Sequence, residues 1–239
     1  MRFNWNYPKV VGLTLCIASL YAFSDYRSNQ RELNGIDIDF VGENSLYVTQ
    51  DVVNKLLIQN YGTLKNVPKE DIDLNTIEKV IETNDMVKNA HVYLTINGKL
   101  KSKIAQRQPI GRIEGLTQFY LDEDGKEMPL SEKHSARVPI ITGNITGKSL
   151  EDVYVILQFI NDDDFLRKNI IGIHIEEQDN YQLRFRVENF VVNLGDVTDL
   201  DEKFSNFKAF YAKAMRDQTL DEYKIVSLEF DNQVVCTKI

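Results

Sequence analysis

Cysteine is nearly absent from the chain: two copies in 239 residues, Cys16 inside an apolar N-terminal run and Cys236 among the last four residues. That scarcity excludes a disulfide framework and a cysteine-based metal site. Histidine is as sparse. His91, His134 and His174 are scattered, with no HExxH and no paired ligand spacing. Ser131 lies three residues before His134, but no G-x-S-x-G elbow accompanies it, and no glycine-rich phosphate loop occurs. Acidic residues are missing before Asp25, where Arg2 and Lys9 stand alone. Those two leave 26 of the 28 basic residues to face 36 acids in the remainder. No basic footprint for nucleic acid or for an anionic membrane surface is therefore available. Proline and glycine are few, at 5 and 12, while 43% of residues are hydrophobic and 27% charged, which excludes a disordered or collagen-like chain. A core can be built.

The first feature present is the uncharged run Val10–Ser24, fifteen residues long. As a helix it covers roughly 22 Å, short of a ~30 Å hydrocarbon core. Extension from Trp5 to Tyr26 closes the gap, with Trp5, Tyr7, Tyr21 and Tyr26 at the interfaces and Lys9 and Arg27 snorkelling. The expectation is a cytoplasmic tail over 1–9, a transmembrane helix over 10–26 and a polar connector over 27–35, with the bulk of the chain outside. A cleaved signal peptide is the alternative, with Ala22-Phe23-Ser24 as its small-x-small site. A lipoprotein is disfavoured because Leu15 before Cys16 is too large.

Beyond the connector, Ile36, Ile38 and Phe40 alternate with Asp37 and Asp39, the period of a half-buried strand, and Gly42-Glu43-Asn44 supplies a turn. Thr49 and Asp73 are candidate caps for two helices carrying Val52, Val53, Leu56 and Leu57, then Leu74, Ile77 and Ile81. Ala90, Val92, Leu94 and Ile96 alternate up to Asn97-Gly98, a hairpin pair, and Leu100, Ser102 and Ile104 return. This β-α-α-β-β module occupies 36–106. Over 107–239 the pattern predicts a mostly antiparallel sheet domain with two helices, giving an α+β chain. One helix is capped by Ser149; the other starts near Asp199 and carries Leu200, Phe204, Phe207, Tyr211 and Ala214. Strands are expected at Ile171–Glu176, Tyr181–Val187 and Phe190–Leu194, and a last one carries Val226, Leu228 and Phe230 in one phase.

Candidate chemistry fails inspection. Aligning Gly125 to the sixth position of an EF-hand loop puts Tyr120 and Ser131 where acidic ligands are required. Asp162-Asp163-Asp164 reads as a solvated loop after a helix, and Asn144-Ile145-Thr146 as a glycosylation triplet relevant only to a eukaryotic secretory host. No catalytic constellation and no cofactor site emerge, so the chain reads as a binding protein rather than an enzyme.

Specific residues then carry a resemblance. Phe40-Val41-Gly42-Glu43-Asn44, Met86-Val87-Lys88-Asn89-Ala90-His91-Val92 and Gln106-Arg107-Gln108-Pro109-Ile110 resemble the first-strand turn, second-strand entry and exit of a POTRA module. Phe119–Gly125 and the stretch Tyr223–Val235 resemble the β domain of the bacterial cell-division family FtsQ/DivIB. Gln106 stands where the family often has Glu, and Glu229 where Arg is common. The resemblance implies a non-catalytic bitopic divisome scaffold in the inner membrane at the septum, with its bulk in the periplasm. It implies binding to FtsB/DivIC-like and FtsL-like proteins through a strand added beside the last strand of the sheet. By position the partner-binding residues are Glu229, Phe230, Asp231, Asn232, Gln233 and Val234, and the POTRA recruitment residues Asn89, Val92 and Leu94. The competing expectations are an anchored POTRA docking protein for envelope proteins and a secreted periplasmic hydrolase.

Overall fold

The structure, a computed structural model, describes residues 6–29, 33–42, 46–62, 67–68, 71–177 and 180–239. Arg2 and Trp5, part of the expected connector (30–32) and the turn residues Glu43 and Asn44 lie outside the described residues. The chain divides into two compact units, Met1–Gln106 and Arg107–Ile239.

Helix α1 (Asn6–Asn29) forms where the transmembrane helix was expected and extends past both ends of that interval. Among the described residues, however, no helix is long and apolar enough to cross a membrane by hydropathy. The reason is compositional: Gly12, Thr14, Ser19 and Ser24 interrupt the apolar side chains, and Lys9 bounds the run. Over this interval the structure shows an N-terminal helix.

In the rest of the first unit, β1 (Gly35–Val41), α2 (Gln50–Tyr61), α3 (Leu74–Glu82), β2 (Val87–Leu94) and β3 (Lys99–Gln106) follow in the expected order. The sheet order is β1-β3-β2, with β1 parallel and β2 antiparallel to β3. Val53 and Leu57 of α2 and Ile77 and Ile81 of α3 bury their apolar faces with Ile38, Ala90, Val92, Leu100 and Ile104 of the strands. Asp73 caps α3 by accepting from the Asn75 and Thr76 amides, whereas Thr49 precedes α2 without a side-chain cap bond. Gln106 closes the unit. Its buried amide oxygen accepts from the Tyr47 and Val48 N–H groups at 2.9 and 3.1 Å, and its Nε2 donates to the Val48 carbonyl at 2.8 Å. A carboxylate could not make the last bond, so the geometry calls for glutamine here.

The second unit holds β4 (Pro109–Glu114), β5 (Gln118–Asp122), β6 (Glu127–Met128), β7 (Ile140–Gly143), α4 (Gly147–Asp162), α5 (Asp164–Asn169), β8 (Ile170–Ile175), β9 (Tyr181–Phe185), β10 (Val191–Gly195), α6 (Leu200–Asp217), β11 (Tyr223–Ser227) and β12 (Val235–Lys238). The strands make one 9-stranded sheet in the order β12-β11-β10-β9-β8-β7-β4-β5-β6. Antiparallel pairs predominate, but β4–β7, β7–β8 and β10–β11 are parallel. Parallel neighbours need crossovers, and α4–α5 and α6 supply them for the last two pairs. Helices α4 and α6 lie side by side on the sheet, with Phe159 stacked on Phe204 at 6.0 Å. Phe207 of α6 is enclosed by Phe165, Phe185, Phe210 and Tyr211.

Three local expectations change. Thr146, not Ser149, is the N-cap of α4, and Ser149 reciprocates from the third position as a capping box. The Asp162-Asp163-Asp164 run is no loop: it joins α4 to the unforeseen α5. Asp163 caps α5 by accepting from the Phe165 and Leu166 amides, and its other oxygen takes a 2.7 Å bond from Lys208 of α6. The Lys208 bond and the Leu166 amide hold its carboxyl below the usual range. Third, the final strand stops at Ser227 and a further strand, β12, follows it.

Asp122 organises the start of this unit. Its Oδ2 accepts from Arg107 at 2.6 Å and its Oδ1 from the Asp124 and Lys126 amides, all with the carboxylate buried. Asp122→Ala leaves Arg107 and two turn amides without their acceptor and should cost roughly 3–5 kcal/mol, read from urea unfolding of the second unit. Gln106→Glu should lower the stability of the first unit by about 1–3 kcal/mol at neutral pH, with partial recovery on acidification as the carboxyl regains a donor, read from thermal melts against pH.

Candidate interaction site at the C-terminal sheet edge

Helix α6 carries the chain from β10 back to β11, and the loop after β11 returns it as β12, the outermost strand. Within β11 the phase predicted from sequence holds only in part: Ser227, of the opposite phase, is buried as well. Val226 is buried and Leu228, just past the strand, is buried too. Phe230 is not: it sits in the turn, 49% exposed. Asn232 adopts φ 57, a left-handed conformation that asparagine tolerates, and the Gln233 N–H faces the Phe230 carbonyl at 3.5 Å across the reversal. The expected continuous strand through Phe230 is thus corrected to a hairpin.

The predicted partner-binding residues fall in that hairpin loop. Glu229, Phe230, Asp231, Asn232 and Gln233 are exposed, whereas Val234 turns inward with Cys236 against the core. Glu229 accepts from Ser227 Oγ at 2.7 Å and from Asn180 Nδ2 at 3.5 Å, which fixes the start of the loop. Its Cγ lies 2.9 Å from where a β-carbon on Gly195 would sit, and Gly195 has φ +75. Only glycine fits both conditions there. Burial pushes the Cys236 thiol up. At the far end of β12, Lys238 pairs with Glu222 at 2.6 Å, and that bond raises the lysine.

Sequence reasoning missed the other wall. A cavity of about 380 Å³ separates the loop from the β10–α6 turn, with Asp196, Asp199, Glu202 and Lys203 facing Glu229, Phe230 and Asp231. The acids of the Gly195–Glu202 stretch were visible in sequence, but their position opposite residues thirty places later is set by the crossover. Lys203 is tied to Asp196 at 2.8 Å, and with Thr198 it lowers that carboxyl to about 2. The remaining acids give this edge a negative character.

The recruitment residues separate. Asn89 is exposed beside a register shift in β2, but Val92 is 3% exposed and Leu94 packs against the helix-covered core. Only Asn89 presents its side chain outward.

A β-α-α-β-β unit followed by a sheet that ends on an open, loop-flanked strand defines a two-unit protein of the POTRA-and-β-domain class. A family model described as POTRA-like domain matches residues 35–105, and one described as FtsQ/DivIB, C-terminal related matches residues 108–237. The latter spans more than half of the chain, which therefore belongs to the FtsQ/DivIB C-terminal related family. The family is one of non-catalytic divisome scaffolds associated with the septal membrane and with other divisome proteins. No curated protein matches the chain significantly.

Because Asp196 titrates near 2 in the folded protein and near 4 when unfolded, its pairing contributes above pH ~4 and is lost as pH falls toward 2. Asp196→Asn should therefore show a shallower loss of stability than the parent between pH 4 and 2. The carboxylate is mostly exposed, so the difference should stay below ~1 kcal/mol in acid unfolding curves.

Proposed function

We propose that this chain is a bitopic divisome scaffold that binds FtsB/DivIC-like and FtsL-like proteins along β12 and the 229–234 loop, coupling divisome assembly to septal wall synthesis. The observation that carries the reading is the outer edge of β12. It is a strand with one neighbour, β11, beside a loop that exposes Phe230. A partner segment added there gains main-chain hydrogen bonds, and Phe230 offers the aromatic anchor on which interface energy concentrates. In the POTRA-like unit, Asn89 is the residue positioned to meet a recruiting protein.

Helix α1 supports the anchoring part of the proposal. Val10, Leu13, Leu15, Ile17, Leu20 and Phe23 are all exposed along it, and apolar side chains of that kind gain from contact with lipid. Two of its polar interruptions bond within the helix: Thr14 donates to the Val10 or Val11 carbonyl and Ser19 to that of Cys16. With Arg2 and Lys9 on its N-terminal side and no acidic residue before Asp25, that side of α1 faces the cytoplasm and the two sheets lie outside.

The test is co-purification of the full chain with the host's FtsB/DivIC-like and FtsL-like proteins, alongside Phe230→Lys. The variant should bind at least tenfold more weakly while its circular dichroism is unchanged; undiminished binding would move the interface off this edge. The chain should also stay in the membrane pellet after an alkaline carbonate wash, and release into the supernatant would overturn the anchor.

A further inference from the structure

Sheet edges carry backbone donors and acceptors that another chain can pair with. The three-stranded sheet of the first unit has two, β1 and β2. Along β2, the Val92 N–H donates to Glu78 Oε1 at 2.6 Å and the Ala90 N–H to Glu82 Oε1 at 3.0 Å. Residues two apart in a strand direct their amides to the same side, so these are the amides turned away from β3. The spacing is matched. Glu78 and Glu82, four residues apart on α3, are separated by ~6 Å along the helix, and Ala90 and Val92 by ~6.8 Å along the strand. His91 Nδ1, 3.3 Å from the same Glu78 oxygen, adds a second contact to that carboxylate. On the opposite edge, Gln50 of α2 donates from Nε2 to the Ile38 carbonyl of β1 at 2.8 Å.

The two helices that cover the face of the sheet thus also reach round to both of its edges. In the second unit, β6 is only two residues long, and among the described residues no side chain bonds to the backbone of β12. We propose that Glu78 and Glu82, with Gln50 at the other edge, are guards that close the POTRA-like sheet to strand pairing, including pairing of β2 with the β2 of a second copy. They thereby leave β12 as the edge at which strand addition proceeds. The last clause rests on the reading of β12 given above; the guard itself does not.

The test needs no partner protein. Sedimentation of the full chain in detergent micelles would compare the parent with Glu78→Ala/Glu82→Ala and with Glu78→Gln/Glu82→Gln. The alanine pair should self-associate, at least doubling its weight-average mass as concentration rises. The glutamine pair should match the parent, because a carboxamide oxygen still accepts the amide hydrogen. A folded alanine pair that sediments like the parent would overturn the proposal, and self-association of the glutamine pair would overturn its hydrogen-bond basis. Amide exchange in the parent chain gives a reading independent of variant folding. Ala90 and Val92 should exchange as slowly as the inward-directed His91 and Tyr93, within about tenfold, and exchange at unprotected rates would refute the guard. Loss of partner binding at β12 with the guard intact would instead fault the docking reading alone.

Discussion

The docking of α6 onto the sheet is the interaction on which the C-terminal edge depends. Phe207 is fully buried at the centre of an aromatic cluster contributed by Phe165 of α5, Phe185 of β9, and Phe210 and Tyr211 of α6 itself. Burying one such side chain is worth about 1.5–3 kcal/mol, and ring pairs add to it. Behind the cluster, Tyr211 donates to Glu188, and burial followed by that bond pushes its hydroxyl up to about 12. With α6 held there, the chain leaves it aligned to pair β11 parallel to β10, and β12 can only fall outside β11. Strand order, loop position and the acidic cavity follow from that one crossover.

The two units treat their edges in opposite ways, for one physical reason. A buried or half-buried amide needs an acceptor, and where no neighbouring strand supplies one a side chain or a partner must. In the first unit α2 and α3 are close enough to provide Gln50, Glu78 and Glu82. In the second, α6 covers the face of β10 and β11, and Glu202 of its first turn, with Asp196 and Asp199 just before it, lines the cavity beside the hairpin loop. A scaffold that recruits by strand addition benefits from having one receptive edge, since each additional one invites self-pairing.

Charge marks the same place. Glu229 is held by Ser227 and Asn180 and fitted against Gly195, so the acidic residue is built into the loop. With Asp199, Glu202 and Asp231 nearby, the surface beside β12 is negative. Complementary charge governs encounter rate and partner choice more than affinity, so a negative surface of this kind favours basic over acidic surfaces.

Local chemistry was readable from the residues alone. Alternation in Ile36–Phe40 and Ala90–Ile96, the Asn97-Gly98 pair, the Asp73 cap and the helical spacing of Phe204, Phe207 and Tyr211 each act within a few residues, so they determine the elements and the two-unit organisation. The same information put Val226 and Leu228 in one phase, and both are buried. It could not place Phe230, because whether a strand continues or reverses there turns on the left-handed Asn232 and on the inward packing of Val234 and Cys236. Nor could it show that Asp163 is a cap tied to Lys208, that Gln106 reaches Tyr47 and Val48, or that Val92 hides its side chain while its amide meets Glu78. Those are contacts between residues far apart in the chain, and only the packing of helices on sheets decides which distant groups meet.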